Sequence, residues 1–460
     1  MLGKRRELSQ EDLFKSRLDQ MLDPKHPLIR LANAIDWEYF EKEFGKYYVE
    51  NVGRPGKPIR ILVGLHYLKN AYDESDESCV EMFLENPYWQ YFCGFEYFQH
   101  KFPLKPTTLV KWRQRVGEEG IEKLFYQTLL SAQKLGLLRE SHLNKVNIDT
   151  TVQEKAIAYP TDARLYYKMQ VKLVKAAQRN GIELRQSYRR LGKKALVMQG
   201  RYSHARQMKR AMKETKKLKM YLGRITRELR RKTGNTASEL LEELLLLSER
   251  LLKQKKQDTN KMYSCHAQEV ECIAKGKTHK KYEFGCKVGV AATSRDNWIV
   301  GIQAYHGNPY DGHTLDDMLK FVKCATGVPA KEAYCDKGFR GHNHTGDTIV
   351  HIAGKKSRLP RSLRKWLKRR CAIEPIIGHL KSDNRMDRNY LKGSIGDKIN
   401  ALLCGCGANI RKLIAAFFVS LQFRVSLQEK VLGYFKIKRE ITSLFKITQS
   451  MNLECYQKLS

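Results

Sequence analysis

The chain has 460 residues, with 85 lysines and arginines against 49 aspartates and glutamates, for a formal net charge of +36. Hydrophobic residues make up 42%, enough for ordinary cores, which excludes wholesale disorder, and so large a cationic surplus favours polyanionic partners, nucleic acid first. A charged N-terminus, apolar runs at 240–252 and 413–419 too short or interrupted to span a bilayer, and eleven cysteines without a paired framework lead to the expectation of a soluble, cytoplasmic protein with no membrane segment.

Ser9 with Asp12 three residues on resembles a capping box, and Trp37, Phe40 and Phe44 recur at helical spacing, so residues 1–45 read as an arm followed by a helix. Residues 53–58 form a turn with Pro58 placed to open a helix. Over 59–72, Ile61, Leu65, Leu68 and Tyr72 lie along one helical stripe, and Val80, Phe83 and Leu84 make a second apolar face. Pro106-Thr107-Thr108 opens a further helix over 109–116. Residues 46–140 are therefore expected to be all-helical. In the helix 109–116, Lys111, Arg113 and Arg115 are the candidate DNA contacts if it enters a major groove. The alternative is a helix packed through Leu109, Trp112 and Val116 whose outer face merely meets solvent.

The texture changes at Lys145. Residues 146–151 are a short β-type run carrying Asp149 near its end, and a long basic helical stretch then fills about 165–256. Strand signals resume at 284–293 and 298–305, rich in Val, Ile and aromatics. A dense loop signal at 307–312, a helix at 313–324, strands at 332–335 and 348–353, and an apolar helix over about 397–423 follow. The pattern is a helical N-terminal region, then an α/β domain whose first strand is separated from its second by a basic helical insertion.

In a chain this cationic, acids at strand ends are the residues to question. Asp149 lies at the end of the first strand and Asp336 at the end of the fourth. Glu374 follows a run, 355–370, that holds nine lysines and arginines and no acid. Three carboxylates suit phosphoryl chemistry, because two hard divalent cations about 3.5–4 Å apart activate a water or 3′-hydroxyl and stabilise the departing oxygen. Magnesium takes oxygen ligands, and a basic surround holds the phosphates that the acids themselves would repel.

These residues carry a resemblance to the DDE transposases of bacterial insertion sequences, of the IS-five class. Ile148-Asp149-Thr150-Thr151 resembles the first-aspartate strand of that family, and Cys335-Asp336-Lys337-Gly338-Phe339-Arg340-Gly341 its second-aspartate motif. Arg370, Glu374 and Lys381 fall at the spacing of its Tyr-x2-Arg-x3-Glu-x6-Lys signature, with Leu367 in the tyrosine position. The run from His306 to His313 is similar to the loop the family carries between those elements, and Gly378-His379-Leu380-Lys381 and Arg385-Met386 continue the likeness, which covers roughly 30–415. The resemblance implies an RNase H-like fold with Asp149, Asp336 and Glu374 as catalytic residues and metal ligands, two Mg2+ or Mn2+ ions, and phosphate contacts from Arg370 and Lys381.

The implied organisation is an arm and helix at 1–45, a helical DNA-binding domain at 46–140, an RNase H-like catalytic domain at 141–164 and 265–415, a basic helical insertion at 165–264 and a basic tail at 416–460. The implied activity is metal-dependent DNA cleavage and strand transfer at terminal inverted repeats of a mobile element, by a homo-oligomer associated with the nucleoid. Alternatives are a non-catalytic DNA-binding protein derived from a transposase, or another RNase H-like nuclease.

Several points stay open from residues alone. One helix carrying Arg370, Glu374 and Lys381 would bring all three to one face; if a helix instead starts near Pro375, Arg370 precedes it and only the Lys381 offset is helical. Asp311 and His313 either stand behind the acid site as supporting groups or are simply loop structure, and loop structure is the expectation. Between residues 201 and 235 there are 13 lysines and arginines against Glu214 and Glu228, a block fit to track a phosphate backbone or to form a hairpin whose apolar stripe is covered by 240–252. Cys265, His266, Cys272, His279 and Cys286 match no paired zinc spacing and are expected to be buried or free thiols, and Cys404 and Cys406 to be core.

Overall fold

The computed structural model describes residues 16–48, 56–234, 237–255, 257–274, 280–354 and 359–418. The capping box at Ser9, the first half of the 53–58 turn, His279 and all but the start of the 416–460 tail lie outside the described residues. The chain divides into two compact bodies, residues 1–139 with 403–460, and residues 140–402. Of the arm and helix read over 1–45, the described residues from 16 on share a body with the helices that follow.

The first body is helical. After α1 (Leu18–Met21), α2 (Pro27–Ala34) opens with proline at its first position and the His26 ring accepting the Leu28 N–H. In α3 (Trp37–Gly45) the Asp36 carboxylate accepts the Tyr39 N–H, so an orphan donor of the first turn is satisfied. Next come α4 (Ile59–Ala71), α5 (Ser78–Glu85) and α6 (Pro87–Phe92), the last capped by the Asn86 side chain. The expected helix at 109–116 is the first part of a longer element, α7 (Pro106–Lys134), which bends at Gly117. That residue has φ 64° and ψ −163°, a conformation that glycine alone adopts cheaply. Phe40, Phe44, Tyr67 and Trp112 interlock through edge and stacked ring contacts in the core.

The second body is built on one sheet. After α8 (Glu140–Leu143), β1 (Lys145–Glu154) is nearly continuously buried, as a central strand should be. The insertion follows as four helices, α9 (Asp162–Arg179), α10 (Arg189–His204), α11 (Met208–Thr233) and α12 (Glu239–Lys253). Leu218, Leu222, Ile225 and Leu229 of α11 pack with Leu241, Leu245 and Leu251 of α12 and with Leu173 of α9. The apolar stripe is thus covered as the hairpin reading expects, while Lys209, Lys213, Lys216, Lys219 and Arg224 stay exposed.

A short strand that the sequence pattern does not announce, β2 (Glu271–Ala274), precedes β3 (Tyr282–Thr293) and β4 (Ile299–Tyr305). Helix α13 (Leu315–Thr326), β5 (Glu332–Cys335), β6 (Ile349–Ile352), α14 (Arg361–Arg369) and α15 (Ile373–Asp383) complete the order. The sheet runs β2-β3-β1-β5-β6, with β4 also paired to β3. β3 is antiparallel to β1, β2 and β4, whereas β5 is parallel to β1 and β6 to β5.

The last helix, α16 (Gly393–Phe418), begins in the second body and from Leu403 belongs to the first. Its 26 residues are long and apolar enough to cross a membrane, longer than the apolar run read from sequence, but 67% of its apolar window is buried within the protein. Cys404 and Cys406 are both buried, as expected of core residues.

Candidate active site

Parallel pairing places Ile148 of β1 opposite Cys335 of β5, so the next residues, Asp149 and Asp336, leave that pairing side by side. β5 ends there, while β1 runs on to Glu154 paired with β3, so Asp149 is mid-strand rather than at a strand end. The buried Cys335 thiol is pushed up by burial and by both neighbouring carboxylates, Asp336 and Asp149. One oxygen of each acid is fixed by backbone: Thr150 N–H donates to Asp149 Oδ1 at 2.7 Å and Gly338 N–H to Asp336 Oδ1 at 2.8 Å.

Glu374 reaches this pair through Arg370. The guanidinium lies 3.7 Å from Asp149 Oδ2 and 3.5 Å from Glu374 Oε1, and its side chain is 11% exposed against 65% for Glu374. Its Nε and Nη1 are buried and make no hydrogen bond among the described residues. Unbonded guanidinium donors in a buried position are costly, and acceptors such as phosphate oxygens would satisfy them.

The open question of the helix start is answered here. α14 ends at Arg369, a 3-10 turn spans Arg370–Ala372, and α15 begins at Ile373. Pro375 falls in the first turn, where its missing N–H costs nothing. Arg370 therefore precedes the helix, and Lys381 is related to Glu374 by helical spacing. Lys381 is half-buried, and Leu367, in the tyrosine position of the signature, is buried on α14.

Asp311 is more than loop structure. Thr150 Oγ1 donates to its Oδ1 at 2.9 Å, and Lys287 Nζ donates to the same oxygen at 2.8 Å and to the Pro309 carbonyl at 2.5 Å. A side chain built at Gly338 would meet Asp311 Oδ2 and Asp336 Oδ1, each at 3.0 Å, so the two carboxylates flank that glycine. A fourth acid and a buried lysine therefore adjoin the cluster. His313 is exposed with its ring edge against Tyr310, which fits the loop reading.

The basic candidates divide by burial. Arg113 is 3% exposed and donates to both oxygens of Asp76, at 2.5 and 2.9 Å, which removes it as a DNA contact. It is a core residue because Leu109, Trp112 and Val116 turn this helix face inward and Asp76 supplies the compensating charge. Lys111 and Arg115 are exposed, the latter with its guanidinium 4.9 Å from the Tyr48 ring centre. Burial and the neighbouring Arg113 push His66 down to about 3. On the insertion, Arg185, Arg224, Arg227 and Arg231 line a cavity of about 430 Å³ with Glu228, while Arg230 is engaged by Glu242 and Glu249.

Of the cysteine and histidine cluster around 265–286, Cys265 and Cys286 are buried free thiols, and Cys265 hydrogen-bonds the Leu165 carbonyl. Cys286 instead lies beside His306 and Asp397.

Residues 16–115, within the first body, match the family model described as "Transposase domain (DUF772)". The chain is 52% identical over 196 residues to an uncharacterized protein, ORF8 in the nfe locus of Rhizobium meliloti, an alignment covering 43% of this chain and 94% of that protein. No solved structure matches. By these two similarities the chain belongs to a transposase-like family.

Proposed function

We propose that the protein is a DDE transposase of the IS-five class, which binds the terminal inverted repeats of an insertion sequence and catalyses DNA cleavage and strand transfer. The observation that carries this reading is that Asp149 and Asp336 leave paired parallel strands side by side, with the Arg370 guanidinium between Asp149 and Glu374. The strand order β4-β3-β1-β5-β6, antiparallel across β3 and parallel from β1 to β6, supports an RNase H-like catalytic domain. The transposase domain at 16–115 and the exposed Lys111 and Arg115 support DNA binding by the helical body.

By type, three carboxylates suit hard divalent cations, and one oxygen of each aspartate is held by a backbone amide. Asp149, Asp336 and Glu374 would hold two Mg2+ or Mn2+ ions, whose chemistry when bound is activation of the attacking hydroxyl and stabilisation of the departing oxygen. Arg370 would orient a phosphate beside Glu374, and Lys381 would contact the strand farther along α15. Because both hydrolysis and strand transfer are in-line displacements at phosphorus, one site serves both. Pairing two element ends calls for more than one subunit, so a homo-oligomer on DNA is part of the proposal.

The test is incubation of the purified protein with a labelled element end, with Mg2+ or with EDTA, and sizing of the products. Nicks at the repeat boundary that require Mg2+ support the reading. Salt-sensitive binding without nicking would favour a non-catalytic DNA-binding relative, and cleavage indifferent to the repeat would favour another nuclease.

A further inference from the structure

We propose that Cys286, His306 and Asp397 form a site for a borderline-soft dication of the Zn2+ type, separate from the acid cluster. Cys286 sits on β3, His306 directly after β4 and Asp397 near the start of α16, and one ligand atom from each lies within 4.8 Å of the others. Cys286 and Asp397 are buried, and His306 is partly so. Thiolate, imidazole and carboxylate are the ligand types that zinc takes, and magnesium has little use for sulfur.

The spacing favours a bridging ion over direct contact. His306 Nε2 lies 3.6 Å from Asp397 Oδ2, too long for a hydrogen bond. Ligands at about 2.0–2.2 Å from a tetrahedral zinc are roughly 3.3–3.5 Å apart, which is close to that separation. The buried Nε2 has no hydrogen-bond partner among the described residues. The Asp397 carboxylate is held in position by its neighbours. Its Oδ1 accepts Lys155 Nζ at 2.8 Å and Asn389 Nδ2 at 2.6 Å, which leaves Oδ2 turned toward the imidazole. Gln153 Nε2 donates to Cys286 Sγ at 3.7 Å, so the sulfur is placed as an acceptor.

The surroundings have the form of an outer ligand shell. His306 Nδ1 faces Glu271 Oε1 at 3.6 Å, and that oxygen is itself held by the Gly307 N–H at 2.6 Å. That 3.6 Å separation is also longer than a hydrogen bond; a carboxylate on this side of the ring would, on closing to hydrogen-bond distance, fix the tautomer that leaves Nε2 open to a metal. Glu271 Oε2 is buried without a hydrogen bond among the described residues. Glu269, Glu271 and Asp397 set three carboxylates against the Lys155 ammonium, which pairs with Glu269 and Asp397 at 2.8 Å each. In a chain of net charge +36 this local acid excess is unusual, and a dication offsets it. The competing arrangement is an imidazolium held between Glu271, Asp397 and the Ser394 carbonyl. A metal here would tie β3, α16 and the loop that delivers Asp311 to one another.

The test is the metal content of the full-length protein after gel filtration in a weak chelator, followed by Co2+ substitution of the wild type. The proposal predicts one bound zinc per chain and a sulfur-to-cobalt charge-transfer band. Both should be lost in Cys286→Ser and in His306→Ala and kept in Asp149→Asn, with circular dichroism confirming that each variant is folded. Failure of the wild type to take up stoichiometric zinc or to show the band would establish the imidazolium arrangement and overturn the proposal. Retention of full zinc in either ligand variant would overturn it too.

Discussion

Asp311 and Arg370 show how side chains far apart in sequence set the electrostatics of the acid cluster. Lys287 and Thr150 both donate to one Asp311 oxygen, so the other is left facing the Gly338 turn beside Asp336. Asp311→Asn keeps the shape and weakens the attraction for Lys287. It should slow single-turnover cleavage roughly tenfold, the scale of one weakened charged hydrogen bond, while end binding measured by mobility shift stays unchanged. Gly338→Ala should act more strongly, because its side chain would press on two carboxylates at once. Asp149, Asp336 and Glu374 are read as a set from their motifs. Asp311 stands beside them in the sequence reading only as a loop residue or a supporting group, because its partners Thr150 and Lys287 lie on paired strands separated by the whole insertion, and residue spacing carries no trace of that pairing.

Within α7, residues two apart have different fates. Arg113→Ala leaves Asp76 buried beside Lys69 with its main partner gone, and should destabilise the helical body by about 3–5 kcal/mol, read from denaturant unfolding. Lys111→Ala should leave stability unchanged and weaken DNA binding, with the salt slope shallower by about one unit. The same core makes an acid-sensitive element. His66 is held neutral, down to about 3 from an ordinary 6.5, by burial first and then by Arg113. The unfolded chain therefore binds the extra proton between those values. Stability is full above 6.5 and declines as pH falls toward 3. Burial would raise Asp76, but Arg113 and Lys69 hold it below its ordinary value, which adds a further loss in the acid range. The melting temperature should fall from about pH 7 to about pH 4, and His66→Asn should flatten that fall. Helical spacing did expose the inward face of Leu109, Trp112 and Val116. Arg113, four residues after Leu109 and three before Val116, shares that face; what spacing does not reveal is Asp76, the partner from a distant turn that keeps the buried guanidinium paired.

For the whole molecule, charge placement matters more than its sum. The apolar side of α11 is covered by α9 and α12, which leaves its basic side outward, so the insertion offers a long cationic surface. Replacing exposed Lys213 and Lys216 with glutamate should reduce the salt slope of DNA binding by about 0.9 for each phosphate no longer neutralised, with no change in unfolding. The change of texture near residue 140 was readable in the sequence. The return of α16 from Leu403 to the helical body was not, because an apolar stripe records that it is buried and not which core receives it.

Asp149, Asp336 and Glu374 are proposed above to act as one cation-dependent cutting site. Its most direct test is the rate at which Asp149→Asn protein nicks a labelled repeat end in Mg2+, beside its affinity for the same end. If the three acids are that site, nicking disappears while affinity stays near the wild-type value; nicking at the wild-type rate rules Asp149 out of it.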